Sequence, residues 1–183
     1  MRVLVSAAKI YAAMFALALL WMLLQGTFSW ELFFKVRPGE FPRLALMVLA
    51  AAAFLVSLHL YCSRNFFWAQ QLEIEFSKLL VPMRMWEIAA MGIVSGAAEE
   101  TLFRGALQPA VGLIPASLAF GLAHLIPRNP FWHWSLYATF AGFLLGCLFE
   151  LTHHLFPVIA AHSLTNFVLI MILNRRHAME AAQ

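Results

Sequence analysis

Apolar runs long enough to cross a lipid bilayer dominate this chain. An α-helix needs about 20 apolar residues to span roughly 30 Å of hydrocarbon. Hydrophobic residues make up 63% of the 183 residues and charged residues only 11%, a composition that excludes an ordinary soluble domain. We therefore predict an all-α, polytopic membrane helical bundle, a single domain over residues 1–183, with six transmembrane helices at 3–24, 44–61, 86–107, 111–126, 131–149 and 155–173.

One segment between these runs has a different pattern. Across residues 64–84 the apolar side chains share one helical face and the polar side chains cover another. This pattern is typical of a helix lying in the membrane interface. We predict one interfacial amphipathic helix there.

The positive charges predict the orientation, because cytoplasmic loops are enriched in lysine and arginine. Six spans place both termini on one side, and that side carries the larger number of cations. It holds Arg2, Lys9, Arg64, Lys78, Arg84, Arg128, Arg175 and Arg176, against Lys35, Arg37, Arg43 and Arg104 opposite. We expect both termini to be cytoplasmic. The net charge of +3 follows from these residues and requires no nucleic-acid partner.

Two cysteines bear on the redox chemistry of the chain. Cys62 and Cys147 lie in different predicted helices. They form neither a disulfide framework nor a paired thiolate motif. Redox chemistry is not supported.

Two adjacent carboxylates, Glu99 and Glu100, lie inside the third predicted span. An ionisable group at membrane depth costs about 2.5 to 3.5 kcal/mol on insertion scales, so such groups are usually paired and functional. Residues four apart share a helical face, whereas neighbours point in different directions. Glu100 can therefore reach Arg104, and Glu99 needs a partner from another helix. A structural ion cluster is the alternative, but two carboxylates with one arginine leave a surplus that favours function.

Two further apolar segments carry histidines at helical spacing. In FGLAH, Phe120 and His124 share a face, and in HSLTN, His162 and Asn166 do the same. A lone histidine in an apolar helix is commonly a packing residue, but two such helices beside a buried carboxylate favour a site. Asn166 adds hydrogen-bond donors. The candidate site comprises Glu99, His124, His162 and Asn166, supported by Glu100, Arg104 and Phe120.

These residues carry a family resemblance. Residues 99–104, 120–124 and 162–166 match the patterns EExxxR, FxxxH and HxxxN. In order and approximate spacing, the chain resembles the CAAX-protease and bacteriocin-processing (CPBP) family of intramembrane endopeptidases over roughly residues 86–173, the expected catalytic core. The resemblance implies hydrolysis of a peptide bond in or beside the lipid bilayer. It also implies a membrane-anchored protein or peptide substrate, such as a precursor with a C-terminal sorting tail, in a bacterial inner membrane.

The resemblance also implies roles for individual residues. Glu99 would be the general base on water, assisted by His124, and His162 and Asn166 would stabilise the oxyanion. Glu100 and Arg104 would hold the helix and the charge balance. Members of this family have also been described as metalloproteases, and a zinc ion would then be bound by Glu99, His124 and His162. We expect no cofactor, because there is no HExxH motif and these ligands lie on three separate helices.

Other protease chemistries fit the sequence less well, and two other classes of protein are alternatives. Ser95-Gly96 lacks the glycine at position 93 that a rhomboid-type GxSG pattern requires, and the chain has no aspartate for an aspartyl protease. A non-catalytic scaffold or immunity factor remains an alternative. So does a proton- or cation-coupled transporter, although six spans without a repeat make it less attractive. Cleavage that depends on Glu99 would separate the enzyme from both.

Overall fold

The computed structural model describes residues 2–34, 36–126 and 131–180. Within these ranges the regular structure is helical throughout, in agreement with the predicted all-α class. The elements are α1 (Arg2–Gln25), α2 (Trp30–Phe34), α3 (Phe41–Asn65), α4 (Phe67–Leu80), α5 (Met85–Glu100), the π-helical segment π1 (Thr101–Leu107), α6 (Gln108–Val111), α7 (Leu113–Ala123), α8 (Trp132–Thr152) and α9 (Leu155–Glu180).

Four of the described helices are long and apolar enough to cross a membrane. They lie within α1, α3, α8 and α9 and match four of the predicted spans. The number rises to five if α4 and the segment Met85–Val111 are counted together as one bent span. The chain is thus a polytopic helical membrane protein, as predicted, with four or five candidate spans among the described residues where about six were expected.

The difference arises at the third and fourth predicted spans. The helix α4 coincides with the predicted amphipathic segment, and it meets the axis of Met85–Val111 at 109° rather than continuing it. The predicted span 111–126 is wrong, because α7 contains 11 residues and is only about 16 Å long. Its start is set by Gly112, whose φ of +87° is readily adopted only by glycine. A helix as short as α7 cannot cross the hydrocarbon.

The helix α5 packs closely against α9. A Cβ atom at Gly92 would lie 2.8 Å from the carbonyl oxygen of Ser163, and one at Gly96 would lie 3.1 Å from the Ser163 backbone nitrogen. Small residues of this kind allow two helices in a membrane to approach. The glycines therefore fix the position of α5, and with it the position of Glu99.

The contacts also give the helix directions. Met22 in α1 packs at Gly105, just beyond α5, and Tyr11 lies beside Glu99, so α1 and α5 run parallel. Asn174 near the end of α9 hydrogen bonds to Met83 just before α5, so α9 is antiparallel to both. The start of α1 and the end of α9 lie at the same end of the bundle. Which side of the membrane this end faces stays a prediction, and Lys35 and Arg128 of the charge comparison lie outside the described residues.

Candidate active site

Glu99 and Glu100 end α5, immediately before π1. Single π-helical turns within α-helices are rare and occur frequently at functional sites, since the wider turn redirects the side chains that follow. Glu99, Glu100 and Arg104 are all buried, with at most 6% of each residue exposed. The sequence therefore places three ionisable groups at a local irregularity deep in the bundle.

Glu100 lies in a compact ionic cluster. Its Oε2 is 2.9 Å from Nη1 of Arg104, and its Oε1 is 2.5 Å from Nδ1 of His162. Arg104 also donates through Nη2 to the carbonyl oxygen of Gly142 at 2.8 Å, and its guanidinium group lies over the Phe120 ring at 4.6 Å. The contact of Glu100 with Arg104 is one of charge, because these two atoms do not form a well-aligned hydrogen bond. Both oxygens of Glu100 therefore have a basic partner.

Glu99 has a more open environment. Its Oε2 is 3.5 Å from Nε2 of His124 and 3.9 Å from Nε2 of His162. These distances exceed those of a good hydrogen bond, and Oε2 is buried without a close hydrogen-bond partner among the described residues. Glu99, His124, His162 and Asn166 line one cavity of about 130 Å³. The carboxylate thus faces a space that can hold several water molecules.

The orientation of each histidine is fixed through its other ring nitrogen. Nδ1 of His124 lies 2.7 Å from the carbonyl oxygen of Phe120, and a carbonyl only accepts, so this nitrogen donates. His124 directly follows the last residue of α7, so the short helix delivers the ring to Glu99. His162 is held through Nδ1 by Glu100. Both rings consequently direct Nε2 toward Glu99.

Asn166 completes the polar wall of the cavity. Its Nδ2 donates to the Ser95 hydroxyl at 3.0 Å, and that hydroxyl donates to the Gly92 carbonyl at 3.2 Å. These two hydrogen bonds orient the Asn166 amide and use one of its two N–H hydrogens. The structure therefore brings together all four residues predicted from the sequence to form the site.

The positions of the possible metal ligands bear on the zinc alternative. The described residues contain no group of three His, Cys, Asp or Glu side chains placed to hold a metal ion. Glu99, His124 and His162, the zinc ligands that the family resemblance allowed, lie close together, with the Nε2 atoms of the two histidines 3.5 and 3.9 Å from Oε2 of Glu99. Chemistry without a metal stays a prediction.

Sequence reasoning did not single out Tyr11 of α1. Its hydroxyl interacts with the Glu99 carboxylate, and its side chain lines the cavity. It lies on the inward-facing stripe of α1, whose other members are apolar: Leu4, Ala8, Phe15, Ala18 and Met22. A single hydroxyl on an otherwise apolar inner face is the signal that could have identified it.

A second, larger cavity of about 280 Å³ lies beneath α4. Its walls are mostly apolar and include Leu72, Phe76 and Leu169. It shares Tyr11 and Asn166 with the smaller cavity around Glu99, so the two spaces adjoin.

Polar side chains at α4 border this larger cavity. Nε2 of His59 lies 2.9 Å from Oε1 of Glu73, and Arg176 pairs with the same carboxylate. These contacts tie α4 to α3 and α9. Contacts among three helices therefore hold α4 over the larger cavity.

The fold and site together define an integral membrane protein with a buried polar centre made from several helices. Residues 81–168 match the family model described as type II CAAX prenyl endopeptidase Rce1-like. This match confirms the resemblance that the three motifs indicated. The matched segment contains all the candidate site residues predicted from the sequence, whereas Tyr11 lies outside it.

Other comparisons add a relative of unestablished function. The chain is 34% identical over 102 residues to the uncharacterized protein YpbD of Bacillus subtilis (strain 168). The alignment covers 56% of this chain and 51% of that protein, so the chain spans about half the length of the curated relative it matches. No solved structure matches the chain.

Proposed function

We propose that this protein is an intramembrane endopeptidase of the CAAX-protease type, which hydrolyses a peptide bond in or next to the membrane. The observation that carries the proposal is the environment of Glu99. Its buried carboxylate faces a cavity together with Nε2 of His124 and Nε2 of His162, while the neighbouring Glu100 takes the charge of Arg104. The family match of residues 81–168 supports the same reaction class.

Glu99 is proposed to act as the general base. A water molecule in the cavity would donate one hydrogen bond to Glu99 and another to Nε2 of His124, which has no proton when Nδ1 carries one. Glu99 removes a proton as the water oxygen bonds to the carbonyl carbon of the scissile peptide. The carbonyl π-electrons move to its oxygen, which becomes an oxyanion. Glu99 then returns the proton to the leaving nitrogen as the C–N bond breaks, so the step consumes only water.

His162 and Asn166 are proposed to stabilise the oxyanion. Two carboxylates and one guanidinium give the cluster a charge of −1 when both glutamates are ionised, and an imidazolium at His162 balances it. The ring then donates through Nδ1 to Glu100 and through Nε2 toward the cavity. Asn166 contributes its remaining N–H. Donors placed in advance around an oxyanion are among the largest contributors to catalysis of acyl transfer.

The larger cavity supports an apolar, membrane-anchored protein or peptide as the substrate. It adjoins the cavity of Glu99 at Tyr11 and Asn166, so a chain with an apolar segment under α4 would present a neighbouring peptide bond to Glu99. The matching family is described as a type II CAAX prenyl endopeptidase. For this chain we propose a precursor with a C-terminal sorting tail or a small peptide precursor, in a bacterial inner membrane and with cytoplasmic termini.

The proposal is tested by comparing newly formed protein termini in membranes that contain the wild type or Glu99→Gln at matched abundance. We expect a defined terminus to disappear and its precursor to accumulate in the variant. Glu150→Gln is the matched control, because its side chain can still accept the hydrogen bond from Gln108 and lies away from the cavity. Equal profiles for wild type and Glu99→Gln, under conditions where the protein has a phenotype, would contradict the proposal.

The same experiment distinguishes the alternatives. A non-catalytic scaffold or immunity factor would produce no Glu99-dependent termini, and a transporter would instead show proton- or cation-coupled uptake. Treatment with a chelator addresses the zinc alternative. We expect cleavage to continue, whereas inactivation that added zinc reverses would favour a metal-dependent mechanism.

A further inference from the structure

We propose that Tyr11 is a positioning residue for Glu99, supplied by a helix outside the family-matched segment. Its hydroxyl donates to the Glu99 carboxylate and fixes the rotation of that group, so that the other edge of the carboxylate is presented to water. The kinetic consequence rests on the proposed peptidase function, whereas the contact itself does not.

The first argument is the direction of the Tyr11 side chain. Tyr11 lies on the inward stripe of α1, and its side chain lines the smaller cavity together with Glu99. Further along α1, Met22 is fully buried against Gly105, where a Cβ atom would come within 2.9 Å of the Met22 sulfur. The helix therefore has little freedom to slide past α5. The tyrosine is consequently held in register with the carboxylate.

The second argument is the need of Glu99 for a donor. Glu100 is oriented by Arg104 and His162 at 2.9 and 2.5 Å, but the histidine contacts of Glu99 are 3.5 and 3.9 Å long. A glutamate carboxylate rotates easily about its last side-chain bond. A phenolic O–H is a strong donor to a carboxylate and has no opposite charge that would neutralise the base. Tyr11 can therefore orient Glu99 while preserving its function as a base.

The third argument is the place of Tyr11 between the two cavities. It lines both the cavity of Glu99 and the apolar cavity beneath α4. A substrate that occupies both would pass the tyrosine ring. The hydroxyl is thus near the reacting groups. Its contribution can be measured through the rate of the chemical step.

The kinetic test compares Tyr11→Phe with Tyr61→Phe. Tyr61 on α3 is a matched control because its side chain is 60% exposed and lines neither cavity. We expect Tyr11→Phe to lower kcat about tenfold with KM within about twofold, the size expected for loss of one hydrogen bond to a charged group. We expect Tyr61→Phe to change kcat by less than about twofold. Installing 4-aminophenylalanine at position 11 restores an N–H donor and should recover much of the lost kcat.

A second measurement does not require turnover. Solid-state NMR of protein in lipid bilayers, with glutamate labelled at the carboxyl carbon with ¹³C, reports the hydrogen bonding of each carboxylate. The resonance of Glu99 is assigned by its loss in Glu99→Gln. We expect Tyr11→Phe to shift this resonance and Tyr61→Phe to leave it in place. The measurement also shows whether each variant is folded.

The outcomes separate this inference from the proposed function. A fall in kcat together with a shifted Glu99 resonance supports the positioning role. An unshifted resonance, or an unchanged kcat in an active enzyme, would overturn it. If the wild type cleaves nothing but the resonance shifts only in Tyr11→Phe, the contact is supported and the peptidase proposal fails.

Discussion

Glu99 and Glu100 are neighbours in the chain, but they lie in two different regions of the site. Glu100 is completely buried, and each of its oxygens faces a basic group. Glu99 lines a cavity, and its histidine contacts are longer than hydrogen bonds. One residue of helical rotation therefore separates a neutralised carboxylate from one that is available to a reactant.

The two regions depend on each other through His162. This ring contacts Glu100 through Nδ1 and faces Glu99 through Nε2. A buried ion pair contributes little net stability, because desolvation offsets the attraction, but removal of one member is costly. We infer that the Glu100 cluster is retained because it orients a ring for the cavity of Glu99. Three predictions test this difference between a structural and a reactive carboxylate.

The largest expected effect is on stability, from Arg104→Leu. The substitution leaves the buried Glu100 without its arginine partner and removes the hydrogen bond to the Gly142 carbonyl. We expect the free energy of unfolding to fall by about 3 to 5 kcal/mol, the usual cost of breaking a buried ion pair from one side. Loss of helical circular dichroism during titration of detergent-solubilised protein with SDS would measure it.

The control for this prediction removes both charges. In Arg104→Leu combined with Glu100→Gln, position 100 no longer carries a buried charge, so we expect the double variant to be more stable than Arg104→Leu alone. If Arg104→Leu unfolds like the wild type, the cluster is not structural. The distinction between the two glutamates would then be lost.

Much of the architecture could be predicted from composition, because long apolar runs leave few alternatives to membrane helices. The spans in α1, α3, α8 and α9 were predicted within a few residues, apart from helix ends that continue beyond the hydrophobic run. The span predicted at 111–126 was wrong because hydropathy does not show where a helix stops. Gly112 and the end of α7 at Ala123 leave a helix too short to cross.

The composition of the site was more predictable than its contacts. Spacing alone indicated that Glu100 reaches Arg104, since both lie on one chain segment. The contact of His162 with Glu100 depends on how α9 is rotated against α5, which no local pattern records. The π-helical turn after Glu100 and the approach of Tyr11 are likewise products of packing.

The second prediction concerns Asn166, on the side of the reactive carboxylate. Asn166→Ala removes a proposed oxyanion donor, and we expect kcat to fall about 10² to 10³-fold, as is typical when one such donor is lost. Asn174→Ala is the control on the same helix. Its amide bonds to the backbone of Met83, far from Glu99, so stability should decrease while kcat changes by less than about twofold. Similar kinetics for the two variants would place Asn166 outside the chemistry.

The third and smallest prediction tests whether the apolar cavity belongs to the reactive side of the comparison. Leu169 lines the space beneath α4 and lies almost one turn beyond Asn166 on α9. Leu169→Trp would fill part of the roughly 280 Å³, and we expect KM for a membrane-anchored substrate to rise about tenfold with little change in kcat. Cleavage assays with substrate in bilayers would measure both constants.

The control for this last prediction places the same tryptophan side chain on a helix surface that we expect to face lipid. Leu136 on α8 is 58% exposed, so Leu136→Trp should leave KM near that of the wild type. If Leu169→Trp lowers kcat as strongly as Asn166→Ala, the bulky ring disturbs the oxyanion donors and the cavity is not a separate binding region. If KM alone rises, binding and chemistry occupy adjoining parts of one site, because a residue that never contacts Glu99 would then control access to it.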